Sequence, residues 1–243
     1  MAQITLSDFF RHYNPALLEH TNAVKMLENA MPVSLLTDRA PWVREYRSAG
    51  AEVATEEKSL WPITKDEMGE IMGCSAASLP DSLMDDYAQC CETFGLDRLN
   101  QAYFLGQCGH ESAGLRYPVE IHDGSNYEGR SDLGNNQPGD GVKFAGTGWL
   151  QMTGRFNHQR FSDYLRSIGR PDPKVMDEGK TYTSEVYPWT CSGFWWHDNG
   201  MVDYCKTNPS IDAVGARVNG RMPPNGAADR ITYTQRAFRV LGI

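Results

Sequence analysis

The sequence has no surplus of positive charge. Its 23 Lys and Arg stand against 31 Asp and Glu, for a formal net charge of −8. The long-range basic field that nucleic-acid binding uses is therefore absent, and attraction to an anionic membrane or wall surface is weak. No apolar run approaches the roughly 18 residues a membrane span needs, so no membrane insertion is expected. The opening residues MAQITLSDFFRHYN carry neither a basic leader nor an apolar core. No signal peptide is expected, and the chain is expected to stay in the cytosol that makes it. There is no CxxC spacing among Cys74, Cys90, Cys91, Cys108, Cys191 and Cys205. All six are expected to be buried free thiols, because a cytosolic chain of this size has no need of disulfides. The GxSxG nucleophile motif is missing. His110-Glu111 begins like HExxH, but Gly114 stands where the second His belongs. The Asp132–Asp140 stretch does not fit an EF-hand loop. Cys108 and His110 are two apart and face different ways on a helix. No metal and no cofactor is expected.

What is present is an ordinary globular composition with a generous aromatic supply: 40% hydrophobic residues, six Trp, eleven Tyr and nine Phe. The aromatics serve a core, a groove for a ring-shaped ligand, or both. Residues 1–58 read as a short helical module, with apolar Leu17, Leu18, Val24, Leu27 and Met31 at mostly helical spacing and a polar linker, AGAEVATEEKS. Residues 59–243 read as a second, larger unit. In it Thr64 and Glu67 form a capping-box pattern. Pro80-Asp81 opens a helix that Gly95 stops, and Asp97 caps the next one, LDRLNQAYFLGQCGHES. That helix is apolar almost all round, as central helices are. A long Gly-, Asn- and Asp-rich stretch follows, IHDGSNYEGRSDLGNNQPGDGVKF. A loop of that length is usually functional or mobile. GTGWLQMTGR is short and β-compatible, and the C-terminal third is helical again. The fold class expected is mainly α with a small β element.

The stretch QCGHESAGLRYPVE holds Glu111 and Glu120, nine positions apart. Glu111 falls at the C-terminal end of a buried helix. The negative helix end and burial both disfavour a charged carboxylate there, as a general acid requires. Gly114 and Pro118 let the chain double back, so Glu120 can stand across a cleft. Glycoside hydrolysis needs such a pair. On spacing alone, Glu120 reads more readily as a solvated loop acid than as a catalytic partner.

The order of HESAGLRYPVE, NYEGRSDLGNNQPGDGVKF, GTGWLQMTGRFNH, ARVNGR and DRITYTQRAFRVLG resembles glycoside hydrolase family 19. The similarity is to its phage and bacterial endolysin branch, relatives of the plant chitinases, and covers about residues 61–243. It implies a lysozyme-like catalytic domain following the N-terminal helical module. It implies that Glu111 is the general acid, that Glu120 is the second carboxylate with Glu128 as runner-up, and that Thr153 holds the attacking water. It implies substrate contacts from Gln151, Asn157, Tyr127, Trp149, Asn219 and Arg230. Two positions depart from the family's usual pattern: Thr147 stands where Arg is usual and His158 where Tyr is usual. The activity implied is hydrolysis, with inversion, of β-1,4 bonds between N-acetylated sugars of bacterial peptidoglycan. The implied partner is thus the peptidoglycan glycan strand, cut by a monomer made in the host cytoplasm and released onto the wall. A chitinase, or an inactive glycan-binding or virion protein, are the alternative readings.

Overall fold

The computed structural model describes residues 63–243. The helical module and linker expected over 1–58 lie outside the described residues.

The first described helix, α1 (Lys65–Met72), opens on the expected capping box: the Thr64 hydroxyl accepts from the Glu67 N–H and the Glu67 carboxylate accepts from the Thr64 N–H. After a 3-10 turn at Ala76–Ser78, α2 (Asp81–Phe94) buries Tyr87, Cys90, Cys91 and Phe94 and ends at Gly95 in the left-handed conformation. Asp97 caps α3 (Arg98–Glu111) by accepting from the Asn100 N–H. Every residue of α3 from Asn100 to Gly109 is buried, and the helix forms the centre of the fold. The remaining helices are α4 (Asp140–Lys143), α5 (Arg155–Ser167), α6 (Lys174–Asp177), α7 (Lys180–Val186), α8 (Pro188–Asp198), α9 (Met201–Lys206), α10 (Ile211–Asn219) and α11 (Ala227–Leu241).

Helix α11 packs along α3, and α8 packs along α2. The first contact requires glycine. A Cβ on Gly106 would lie 2.8 Å from the Thr234 Cα, and one on Gly109 would lie 2.6 Å from the Tyr233 ring. These two positions, one turn apart on α3, let the α11 backbone approach closely. Around α3 the core is aromatic: Trp189 meets Tyr87 edge-on at 5.0 Å, and Phe104 lies 5.4 Å from Trp196. Five of the six cysteines are buried in it as free thiols. Cys74 is only partly buried, a departure from expectation that follows from its place in the loop after α1.

Helix α8 is capped from a distance. No side chain of its own start caps it. Instead Asp86 of α2 accepts the Trp189 N–H at 2.6 Å, the Thr190 N–H at 3.2 Å and the Thr190 hydroxyl. Burial pushes this carboxyl up to about 6 despite those three donors. Asp86→Ala would strand two buried N–H groups, and a loss of about 3 kcal/mol of stability is expected. Urea denaturation measures it, and an unchanged midpoint would contradict the cap.

The expected small β element is not formed. Among the described residues there are only two isolated antiparallel bridges, Val119 with Thr147 and Thr147 with Met152. Gly148 and Gln151 both take positive φ, which folds GTGWLQMT back on itself within a few residues. A single pair of bonds then closes the turn, Thr147 N–H to Met152 O at 3.1 Å and the reverse at 2.8 Å.

Candidate active site

Helix α3 delivers Glu111, and the chain then reverses sharply. Ala113, Gly114 and Leu115 have φ of 53°, 73° and 65°, three left-handed residues in succession. For Ala and Leu this conformation costs about 1 kcal/mol or more each. Ser112 holds the turn: its buried hydroxyl donates to Cys108 O at 2.6 Å and accepts from the Leu115 N–H at 2.9 Å. The returning segment then runs beside the glycine-rich turn, with Gly148 N–H on Pro118 O at 2.8 Å and Glu120 N–H on Gly146 O at 3.0 Å. The two glutamates stand at the two ends of one rigid reversal.

Glu111 is partly open, its side chain 26% exposed, and pairs with Arg230 of α11. Arg230 is 1% exposed. Its other nitrogens donate to the Gln107 side chain at 2.6 Å and to Asn225 O at 2.9 Å. The Asn225 N–H in turn donates to the Asn219 side chain at 2.8 Å. Arg230 was expected to touch substrate. Buried in this network, it holds Glu111 instead, and Asn219 braces the loop that supports it. One residue earlier on each helix, His110 Nδ1 meets Asp229 at 2.7 Å. Sequence reasoning missed this second clamp, because the α3–α11 register that creates it is a tertiary fact.

Glu120 is held by different donors. Its carboxylate accepts the Tyr127 hydroxyl at 2.8 Å and the Gly146 N–H at 3.2 Å. Burial, then the bond to Glu120, push the Tyr127 phenol up, so it stays a donor. Tyr127, expected as a sugar contact, therefore orients Glu120. Gln151 reaches the same place: a Cβ on Gly146 would lie 2.5 Å from Gln151 Oε1 and 3.1 Å from Glu120 Oε2. The Gln151 amide donates to Gly148 O at 3.0 Å. The Thr153 hydroxyl donates to Gln151 O at 2.8 Å, which leaves its lone pairs open to accept from water. The Asn157 amide donates to Thr153 O at 2.8 Å. Glu120 with Tyr127, and Gln151 with Thr153 and Asn157, form two bonded groups that approach each other at Gly146.

Two further expectations are corrected. Trp149 is 3% exposed and packs 5.5 Å from Trp189, so its ring is not available to stack on a sugar in a cleft. Glu128, the runner-up carboxylate, spends both oxygens on the Gly139 and Gly141 N–H groups, each at 2.8 Å. It closes the long loop, which is tied rather than free. Asn135 bridges Tyr127 O and the Arg155 N–H, and Arg155 pairs with Asp140. That arginine holds the Asp140 carboxyl below the usual range. Thr147 is buried with its hydroxyl on Lys180 O.

His158 faces the core beside Phe144, ring centroids 4.9 Å apart, with Nδ1 on Gly154 O at 3.0 Å. Burial pulls its imidazole down from 6.5 to about 4. A depressed folded value means stability is present above 6.5 and lost as pH falls toward 4, by about 3 kcal/mol. Asp86, with its raised value, acts in the opposite sense from about 6 downward, so the His158 effect is isolated by difference. His158→Phe keeps the ring, and the gap in stability between variant and parent is expected to shift by that amount between pH 7 and pH 4. Parallel profiles in urea denaturation would contradict it.

Among the described residues no three His, Cys, Asp or Glu side chains gather as a metal site, and no helix is long and apolar enough to cross a membrane.

A protein of Haemophilus influenzae described as glycosyl hydrolase family 19 domain-containing is 25% identical over 166 residues, covering 56% of this chain and 76% of that protein. The chain resembles glycoside hydrolase family 19. Chitinase C of Streptomyces griseus matches the fold with a TM-score of 0.55 at 17% identity, over 75% of this chain and 77% of that one. A bacterial family 19 chitinase matches with a TM-score of 0.56 at 18% identity, over 75% of this chain and 96% of that one. No family model matches the chain. The structural likeness places the chain in the mainly helical, lysozyme-like fold of family 19, and the relatives together support a glycoside hydrolase.

Proposed function

We propose that this chain is an endolysin-type family 19 glycosidase that hydrolyses β-1,4 bonds between N-acetylated sugars of bacterial peptidoglycan. The observation that carries the reading is the pair of carboxylates at the ends of one strained reversal, each held by its own donors. Glu111 gives its proton to the glycosidic oxygen as the anomeric carbon–oxygen bond breaks. Arg230 then stabilises the carboxylate left behind. Glu120 takes a proton from a water accepted by the Thr153 hydroxyl, and that water's oxygen forms the new bond on the opposite face of the sugar. Gln151 and Asn157 bind sugar beside them. Attack from the opposite face inverts the anomeric centre, and such enzymes hold their carboxylates roughly 6.5–9.5 Å apart.

Peptidoglycan is favoured by the short spacing between Glu111 and Glu120 and by the endolysin-like motif order. The endolysin resemblance suits a protein made in a bacterial cytoplasm and released onto the wall. A chitin substrate is the second reading, favoured by the solved neighbours, which are chitinases. Digestion of purified peptidoglycan, borohydride reduction and mass spectrometry separate these. Reduced muramic acid ends are expected. Anhydro ends or freed peptides would overturn the hydrolytic glycosidase, and cleavage of chitin oligomers alone would transfer the proposal to chitin.

A further inference from the structure

Gln107 lies on α3 one turn before Glu111, on the same face of the helix, and is fully buried. Its Oε1 accepts from Arg230 Nη1 at 2.6 Å, while Arg230 Nη2 donates to Glu111. The guanidinium Nε donates to Asn225 O at 2.9 Å. One buried cation is therefore shared among an anion, a neutral amide and a backbone carbonyl. The amide is not free of cost, because its Nε2 is buried without a hydrogen-bond partner. Glutamate would accept the same bond with no orphan donor, but would bury a second negative charge. Methionine would fill a similar volume and strand Nη1. What glutamine alone supplies is an acceptor for the arginine that carries no charge. The surroundings add no second anion. His110 and Asp229 pair with each other. Burial, then the Glu111 charge, push the Cys108 thiol well up, so it stays neutral. Tyr233, packed on Gly109, is also pushed up by burial. Helix α10 meets the Arg230 stem at Gly215, which has no side chain. On the loop before α11, Arg221 donates to the Asn225 side chain. Among the described residues, Glu111 is thus the one carboxylate bonded to Arg230.

We infer that Gln107 is a positioning residue for the general acid. It aims the Arg230 fork at Glu111 and, being uncharged, reserves the cation for the carboxylate that proton delivery leaves behind. The inference rests on the acid role proposed for Glu111. A second anion on the same guanidinium would repel that carboxylate and draw off part of the arginine's field. The Glu111 proton would then stay on to higher pH and leave less readily in the transition state.

Two variants of the full chain, each close to glutamine in volume, separate the acceptor from its charge. Gln107→Glu keeps the acceptor and adds a charge. The upper limb of its kcat–pH profile for glycan hydrolysis is expected to move up by about one pH unit, with the plateau about threefold lower. Gln107→Met stays neutral and removes the acceptor. Its kcat is expected to fall about tenfold with KM unchanged, because Gln107 faces the arginine and not the substrate. The Glu111 carboxyl carbon is followed by carbon-13 NMR and identified by its loss in Glu111→Gln. In Gln107→Glu its upper titration step is expected about one pH unit above the parent's, as the two carboxylates titrate as a pair. A role in packing alone would lower the urea midpoint of both variants and leave kcat, the upper limb and the carbon titration at parental values; that result overturns the inference. If Gln107→Glu does not fold, Gln107→Met decides, and a parental kcat overturns it. If Glu111→Gln keeps parental activity, the acid reading fails, and the carbon titration, which needs no turnover, still decides what Gln107 does to Glu111.

Discussion

Glu111→Gln is expected to slow hydrolysis about a thousandfold, within the range that general acid catalysis supplies. Gln keeps the shape and can still accept a hydrogen bond from Arg230, but it has no proton to deliver to the leaving oxygen. The substitution also removes the counter-charge of a buried guanidinium. Because Glu111 is partly open, water screens the loss, and a stability decrease of about 1–2 kcal/mol is expected. Circular dichroism and urea denaturation would show a folded protein, so the rate loss is chemical. A folded Glu111→Gln protein with parental activity would remove Glu111 from the mechanism. A parent protein that binds wall glycan without cutting it would leave a glycan-binding role on the same fold.

The largest combined effect belongs to Arg230. Its guanidinium joins Glu111, Gln107 and Asn225 O while 1% exposed. Arg230→Ala removes one side of a buried charged network and opens a void between α3 and α11. A loss of about 3–5 kcal/mol is expected. The surviving folded fraction is expected to turn over about a hundredfold more slowly, because Glu111 has lost both its orienting partner and the cation that stabilises its carboxylate after proton transfer. Arg230→Lys is expected to restore part of the stability and little of the rate, since an ammonium cannot make three bonds in a planar fork. The measurements are the urea midpoint and kcat on the same preparations. A lysine variant with full activity would contradict the positioning role.

How far the site was legible in the sequence depends on the range of the forces involved. Local rules worked where local chemistry decides. The Thr64 capping box, the Asp97 cap and the Gly95 stop lie where side chains and backbone groups three or four residues apart settle the geometry. The burial of α3 follows from an apolar surface all round. The reversal of the chain between Glu111 and Glu120 was announced by Gly114 and Pro118. The sharpness of that turn was not legible, because Ala113 and Leu115 take left-handed backbones that their side chains resist. Ser112 and the packing of Gly114 against the Met72 carbonyl impose it. The roles of Arg230, Trp149 and Glu128 were misread for a related reason. Their residue types suit a sugar cleft, but whether a side chain faces ligand, core or loop backbone is set by partners far away in sequence. The long polar loop, too, is tied by Glu128, Asn135 and Arg155, bonds that no periodicity reports.

The most direct test is the anomeric configuration of the first product, followed by proton NMR during the opening minutes of hydrolysis of a β-1,4-linked N-acetylated glycan. If Glu111 and Glu120 act as acid and base on opposite faces of the sugar, the α-anomer appears first and the β-anomer grows in only by mutarotation. Initial release of the β-anomer would mean retention, and would contradict the paired-carboxylate account built here.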